Sequence, residues 1–241
     1  MLLQNRPSPS PLNQAQEALV HTLHSNVANR PTMVRQQPGP GSDESELSLW
    51  LEEVDKSMSF RPASALGMSC GTVTIDPRRA MVLAIWNNRL KLYQLPKGRR
   101  NLDETMLAAA LRETYEETGL SVTPLQLDIA TRATPLKSKH ADTSKKPPNI
   151  TEGHPSNEHV GACIYPDPQS ETEALKIVYF FAATAECTDT PDSGTQEEWE
   201  KLDTKWIPLS EVSNTLRFRA EVQTVMKVVD DMKKSGYTIG A

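Results

Sequence analysis

Three glutamates within five residues are spaced so that their carboxylates could act together. Glu113, Glu116 and Glu117 stand at positions i, i+3 and i+4, and these positions share one face of an α-helix. Carboxylates held this close repel one another unless a positive charge lies between them. A hard divalent cation with oxygen ligands supplies that charge most simply. The spacing therefore predicts a site for Mg²⁺, with Mn²⁺ as the alternative.

Cations precede these acids in the sequence. Lys97, Arg99 and Arg100 surround Gly98, and the run Pro96-Lys97-Gly98 is typical of a turn. A turn there would bring positive charge close to the acidic helix face. Metal-binding acids beside cations suit a phosphate ester or a pyrophosphate as substrate.

The helix that must carry the glutamates has recognisable ends. Asp103 and Thr105 are both suitable N-caps, and Gly119 stands where a C′ glycine ends a helix. An apolar stripe at i, i+4 and i+7 predicts a buried face roughly opposite the acids. Its members are Leu107, Leu111 and Thr114.

The stretch Gly98–Leu120 resembles the signature of the Nudix hydrolase family. That signature is Gly, five residues, Glu, seven residues, Arg-Glu, an apolar residue, any residue, Glu-Glu, any residue, Gly, and an apolar residue. Every charged and glycine position is matched, and Thr114 is the one departure, where the family usually has Ile, Leu or Val. We expect only a mild packing cost there. The matching residues are Gly98, Glu104, Arg112, Glu113, Glu116, Glu117, Gly119 and Leu120.

The resemblance implies an enzyme that uses Mg²⁺ or a similar ion to hydrolyse a diphosphate linkage. The expected catalytic residues are Glu113, Glu116, Glu117 and Arg112, and the three glutamates are the expected metal ligands. We call the signature stretch Gly98–Leu120 the box. Arg112 is expected to pair with the box carboxylates and to orient them.

Further site residues follow from the same resemblance. Glu104 is either the partner of Arg112, a further ligand through water, or simply an acid favoured near a helix N-terminus. Family members often add an acid from a distant loop, and Glu198 is a candidate beside Glu197 and Glu200. The expected substrate-binding residues are Lys97, Gly98, Arg99 and Arg100.

The run Leu95–Arg100, LPKGRR, resembles the lead-in of three groups of Nudix enzymes. They are dinucleoside polyphosphate hydrolases, diphosphoinositol polyphosphate phosphohydrolases and mRNA decapping enzymes. Our first hypothesis is a pyrophosphohydrolase for a highly phosphorylated soluble small molecule of the diadenosine or diphosphoinositol polyphosphate type. A decapping enzyme, with capped RNA as its partner, is disfavoured by the acidic region 186–200. A non-catalytic module that senses a nucleotide is disfavoured by the intact set of box glutamates.

The composition of the chain limits the classes of binding partner and the cellular compartments that we expect. The net charge of -5 over 241 residues argues against a general nucleic-acid coat protein. No apolar run approaches the length of a membrane span, so no membrane partner is expected. Three widely spaced cysteines favour a reducing compartment without a disulfide framework. We therefore expect a cytoplasmic protein; the nucleus is an alternative, and a mitochondrial location would require residues 13–28 to form a targeting helix.

The chain divides into three predicted parts. Residues 1–42 are rich in Pro, Gln, Asn and Ser and are predicted to be a disordered tail. Residues 43–63 are predicted to be an N-terminal helix and linker, and residues 64–236 the Nudix domain. Within that domain, residues 134–157 lack periodicity and are predicted to be a flexible insertion. The resemblance implies an α/β fold, the Nudix α/β/α sandwich with a mixed central sheet.

Overall fold

The structure is a computed structural model, and it separates the chain into two compact units, residues 1–61 and 62–241. The predicted tail and insertion fall partly outside the part that it describes. Residues 1–34 of the tail and 136–148 of the insertion are not among the described residues. The described residues are 35–135, 149–168, 170, 174–197 and 199–240.

The first unit contains one described helix, α1, Glu44–Ser57. Asp43 is its N-cap, and the Oδ1 atom of Asp43 accepts a hydrogen bond from the backbone N–H of Glu46 at 2.8 Å. Trp50 ties the helix to the preceding segment, because its indole Nε1 donates to the backbone oxygen of Arg35 at 3.0 Å. The helix lies within the segment predicted to be an N-terminal helix.

The second unit is built on one mixed sheet of eight strands. Strand β1 pairs parallel with β7 and antiparallel with β2 and β4. Strand β7 also pairs antiparallel with β5 and β6, and β2 pairs antiparallel with β3 and β8. The strands are β1 Leu66–Asp76, β2 Met81–Asn87, β3 Leu92–Gln94, β4 Lys97–Arg99, β5 Thr123–Pro124, β6 Gly161–Pro166, β7 Leu175–Thr184 and β8 Leu202–Pro208.

Helices cover both faces of this sheet. They are α2 Met106–Thr118, the short α3 Val212–Thr215, and α4 Arg219–Lys234. Alternate residues of β1 divide between the two sides, as a strand requires. Val73 and Ile75 pack in the larger core, which includes the valines of α4, whereas Cys70 packs against α2 in the smaller one. The predicted sandwich with a mixed central sheet is confirmed.

Residues 97–99 form a strand, whereas the sequence predicted a turn. Gly98 lies opposite Cys70 in the antiparallel pairing of β4 with β1, and Lys97 lies opposite Gly71. Successive residues of a strand point to opposite faces. Lys97 and Arg99 therefore lie on the α4 side of the sheet, and Gly98 lies on the α2 side. The Pro-Lys-Gly signal was misleading because this glycine serves a close helix approach instead of a turn.

The buried face of α2 also differs from the predicted stripe. Leu107 and Leu111 are only half-buried. Small and polar residues take the buried face, and two of the acids lie on it. The buried residues are Ala109, Ala110, Glu113, Thr114, Glu117 and Thr118. The apolar spacing missed this because the helix packs on a strand through alanines and threonines.

Within the part of the chain that the structure describes, no helix combines the length and apolar character needed to cross a bilayer.

Candidate active site

Helix α2 holds the glutamates between two well-formed ends. Thr105 is the N-cap, and its hydroxyl accepts a hydrogen bond from the N–H of Ala108 at 3.2 Å. Gly119 ends the helix at φ 71°, in the left-handed region, and its N–H donates to Tyr115 O at 2.7 Å. A Cβ on Gly119 would lie 2.3 Å from the backbone oxygen of Asp192, so only glycine fits there.

Arg112 is the centre of the acidic cluster. Its Nε and Nη2 atoms donate to the two carboxylate oxygens of Glu104 at 2.8 and 2.9 Å. Its Nη1 atom donates to Glu113 Oε1 and to Glu116 Oε2, both at 2.7 Å. Nη2 also reaches the backbone oxygen of Arg99 at 3.0 Å, which links the helix to β4. One guanidinium therefore orients three carboxylates, and the expected pairing of Arg112 with Glu104 is present.

Gly98 allows the helix to approach the sheet. A Cβ on Gly98 would lie 1.7 Å from Glu113 Oε2, well inside van der Waals contact. The bare glycine therefore leaves the space in which the Glu113 carboxylate lies. On the same strand, the backbone N–H of Lys97 donates to Glu117 Oε2 at 2.7 Å. β4 thus contacts two of the box carboxylates, and one of those contacts requires glycine.

The surroundings shift the pKa values of these carboxylates in different directions. Burial raises the pKa of Glu117 to about 8, although the nearby positive charge and N–H of Lys97 oppose the shift. Burial also raises the pKa of Glu113. The pKa of Glu104 is lowered, chiefly by the hydrogen bonds from Arg112. The two deepest acids are therefore short of positive charge, whereas Glu104 is well compensated.

The loop before β8 closes one side of the site. Thr195 Oγ1 donates to the backbone oxygen of Glu116 at 2.9 Å, and Gln196 Nε2 donates to that of Glu117 at 3.1 Å. Glu200 lies close enough for its negative charge to raise the pKa values of Glu113 and Glu117. Glu198, the loop acid singled out from the sequence, lies outside the described residues.

The predicted substrate-binding cations separate onto two sides of the sheet. Lys97 and Arg99 lie on the α4 side, by the register of β4. Arg100 follows the strand, and its Nη1 atom donates to the backbone oxygen of Glu104 at 2.7 Å. Arg100 therefore supports the start of the acidic cluster, while Lys97 and Arg99 have no salt bridge among the described residues.

Two further charged residues near the site were missed from the sequence. Lys176 on β7 lies within electrostatic range of Lys97, Arg99 and Glu117. Glu221 on α4 is 4% exposed, and its Oε2 atom accepts a hydrogen bond from the N–H of Leu95 at 3.0 Å.

A signal for both residues was available. Lys176 interrupts an apolar strand. Glu221 begins the stripe Glu221, Val225, Val228 and Met232, which is buried throughout. A charged residue within an otherwise buried pattern is the feature to look for.

The donor set suits a hard divalent cation. Glu113, Glu116 and Glu117 each have one oxygen in a hydrogen bond, and the second oxygen of each has no such partner among the described residues. The excess of carboxylates over cations, which raises two of their pKa values, is what a divalent ion would relieve. In the described conformation no three acidic, histidine or cysteine groups converge as a ligand set, and Arg112 Nη1 binds two of the carboxylates.

The chain is similar to known proteins of one family. The model of the NUDIX domain matches residues 66–227. An Ap4A hydrolase of C. elegans, solved as a binary complex, is 14% identical with a TM-score of 0.46, covering 70% of this chain and 98% of that one. A NUDIX-family hydrolase from Clostridium perfringens is 18% identical with a TM-score of 0.45, covering 68% and 96%. A NUDIX hydrolase from Nitrosomonas europaea is 13% identical with a TM-score of 0.43, covering 72% and 92%. No curated protein matches the chain.

The family match covers about two thirds of the sequence and includes the whole acidic helix. Nudix hydrolases generally use divalent metal ions and act on small-molecule phosphoanhydrides. The prediction of an enzyme is confirmed, and with it the resemblance read from Gly98–Leu120. This chain belongs to the Nudix family and is a hydrolase of pyrophosphate bonds.

Proposed function

We propose that the protein is a Mg²⁺-dependent pyrophosphohydrolase for a highly phosphorylated soluble small molecule, of the diadenosine or diphosphoinositol polyphosphate type. The observation that carries the proposal is the contrast at β4. Carboxylates oriented by Arg112 lie on one side of the strand, and Lys97 and Arg99, which form no salt bridge with a described residue, lie on the other. A metal-binding centre beside free cations suits a substrate with more negative charge than one diphosphate carries.

The box glutamates would hold the metal. Glu113, Glu116 and Glu117 are the ligands in this proposal, each through the oxygen that accepts no hydrogen bond from a described residue. When bound, the ion would lower the pKa of an attacking water and neutralise charge on the phosphoryl oxygens. Mn²⁺ would serve as a substitute, since the ligands are all oxygen donors.

The protein's own groups orient the reactants. Arg112 fixes the directions of the Glu104, Glu113 and Glu116 carboxylates. Lys97 is held at the cluster by its backbone bond to Glu117, which leaves its ammonium group free to bind phosphate. Arg99 would bind a neighbouring phosphate, and Gly98 would keep the approach to Glu113 open.

A substrate panel tests the substrate class. The purified chain is incubated with Mg²⁺ and with diadenosine polyphosphates, diphosphoinositol polyphosphates, deoxynucleoside triphosphates and capped RNA, and the released products are resolved. We expect turnover of at least one of the first two classes at a higher kcat/KM than of the others. Turnover confined to deoxynucleoside triphosphates or to capped RNA would reject the proposed class. We also propose a cytoplasmic location, which three free cysteines support.

Glu117→Gln tests the role of the buried acid. The amide keeps the acceptor for the Lys97 N–H and removes the charge, so we expect kcat to fall by about a thousandfold or more with substrate binding largely kept. Glu211→Gln, at an exposed acid in the turn that follows β8, is the matched control and should keep wild-type kcat. An unchanged kcat in Glu117→Gln would mean that this carboxylate takes no part in the reaction.

A further inference from the structure

Glu221 is a buried acid that the proposed reaction does not use. It lies in the first turn of α4 and is only 4% exposed. Burying a carboxylate costs free energy unless a hydrogen bond or a positive charge compensates for the lost water. Glu221 Oε2 accepts a hydrogen bond from the N–H of Leu95 at 3.0 Å, and the positive charge of Lys97 opposes the rise in the pKa of Glu221. Both interactions connect α4 to the residues around the start of β4.

Leu95 lies between two strands, and its N–H needs an acceptor from outside the sheet. β3 ends at Gln94 and β4 begins at Lys97. Leu95 is fully buried, and a buried backbone N–H requires a hydrogen-bond acceptor. Among the described residues that acceptor is the carboxylate of Glu221. The reach of the Glu221 side chain therefore helps to determine where the backbone runs between the two strands.

Residues 95–97 carry this position to the acidic cluster. The ring of Pro96 restricts its φ, and Pro96 packs closely on β1, since a Cβ on Gly71 would lie 2.2 Å from the backbone oxygen of Pro96. Lys97 follows, and its N–H donates to Glu117 Oε2 at 2.7 Å. Two buried carboxylates, one from α4 and one from α2, therefore hold the N–H groups at the two ends of a restricted tripeptide.

We propose that Glu221 is a positioning residue for the metal centre, which fixes residues 95–97 and thereby the direction of the Glu117 carboxylate. The length of its side chain matters in this proposal and its charge does not, because its partner is a neutral N–H. The inference rests on the proposed role of Glu117 as a metal ligand. Loss of a group that orients a metal ligand weakens metal binding by about 10- to 100-fold, and we expect the lower end for this indirect link.

Two variants separate the reach of Glu221 from its charge. Glu221→Asp keeps the charge but is one methylene group too short to reach the Leu95 N–H, and an acid in the first turn of a helix is well tolerated. Glu221→Gln keeps the length and an acceptor oxygen and removes the charge. Mn²⁺ is the probe, and its Kd without substrate is measured from the paramagnetic resonance signal of the free ion. We expect Glu221→Asp to raise this Kd about tenfold and Glu221→Gln to stay within about twofold of wild type.

Val225→Ala is the control for a loss of stability alone. Val225 is fully buried one turn further along α4, and alanine leaves a cavity in the same core without touching residues 95–97. This variant should keep the wild-type Kd for Mn²⁺. The amide ¹H resonance of Lys97 reports the intermediate step. It should move upfield in Glu221→Asp, as the bond to Glu117 weakens, and should keep its wild-type position in Val225→Ala.

Each outcome bears on the proposal. A wild-type Kd in Glu221→Asp would overturn it, and so would an equally large loss in Glu221→Gln or in Val225→Ala. A wild-type protein that does not bind Mn²⁺ would overturn both this inference and the proposed metal ligands. The expected difference between the aspartate and glutamine variants, found in a protein that hydrolyses only deoxynucleoside triphosphates, would support the inference and reject the proposed substrate class.

Discussion

The two sides of the sheet at β4 handle charge in opposite ways. On the α2 side, three carboxylates, those of Glu104, Glu113 and Glu116, each bond directly to one guanidinium. On the α4 side, Lys97, Arg99 and Lys176 have no ion-pair partner among the described residues. Adjacent residues of one short strand, Lys97 and Gly98, therefore face opposite surroundings.

The comparison shows which part of a site local spacing can specify. The acidic side comes from one helix and the strand just before it, so helical periodicity brings its groups together. The cationic side joins β4 to β7, about eighty residues later in the chain, and only the register of the sheet brings them together. A metal-binding cluster can thus be encoded locally, whereas the cationic side of the sheet depends on the whole fold.

Gly98→Ala should displace a carboxylate on the acidic side. Its Cβ would lie 1.7 Å from Glu113 Oε2, and since this is the end of a flexible side chain, the carboxylate would move and the fold would remain. We expect kcat to fall by about a hundredfold, the usual cost of a misplaced catalytic group, with Tm nearly unchanged. Steady-state kinetics and thermal unfolding of the purified variant measure both.

Gly71→Ala is the matched change on the other side of the strand pair. Its Cβ would lie 2.2 Å from the backbone oxygen of Pro96, which cannot move without displacing β4. We expect the free energy of unfolding to fall by about 2 kcal/mol. If Gly98→Ala instead lost stability while keeping its kcat, the close approach of Gly98 to Glu113 would be a packing feature only.

Sequence alone could predict the acidic side and most of the elements. The i, i+3, i+4 glutamates, the Thr105 and Gly119 helix ends and the Arg112–Glu104 pair all follow from local rules or from the family signature. The position of Lys176 near Lys97 and Arg99 could not be predicted, because its neighbours come from strands distant in the chain. The same is true of the strand at Lys97–Arg99, where turn-like composition was outweighed by pairing with β1.

Glu221→Gln tests whether the buried acid on the α4 side of the sheet has a raised pKa. Burial raises the pKa of Glu221 from 4.5 to about 7, and the residue is 4% exposed. Because the folded pKa lies above the unfolded one, the folded state binds the proton more tightly, and wild-type stability falls as pH rises from about 4.5 through about 7. Glutamine keeps the acceptor for the Leu95 N–H and has no charge to bury.

The variant should therefore gain stability over wild type as pH rises. We expect the difference in unfolding free energy to grow by about 2 kcal/mol between pH 5 and pH 8, from the size of the pKa shift. Urea denaturation at the two pH values, without divalent cations, measures it. Glu113 and Glu117 titrate in both proteins, so their contributions cancel in the difference. A difference that does not change with pH would show that Glu221 has an ordinary pKa.

Thr114→Val should have the smallest effect, and it tests why the box departs from the family here. Thr114 Oγ1 donates to Ala110 O at 2.7 Å and lies 2.8 Å from Thr72 Oγ1, which lies 2.7 Å from Thr74 Oγ1. Each hydroxyl has one hydrogen, so Thr72 donates to Thr114 and Thr74 donates to Thr72. The α2 side of β1 is thus a buried hydroxyl chain, whereas Val73 and Ile75 make the α4 side apolar.

Valine at position 114 would strand the Thr72 hydroxyl without its acceptor. We expect a loss of about 1 kcal/mol in unfolding free energy, measured by urea denaturation, with kcat unchanged. Thr72→Val added to Thr114→Val removes the stranded donor, so the double variant should be more stable than the sum of the single losses by about 1 kcal/mol. Strictly additive losses would mean that the two hydroxyls are independent, and that the threonine in the box is tolerated instead of being matched by β1.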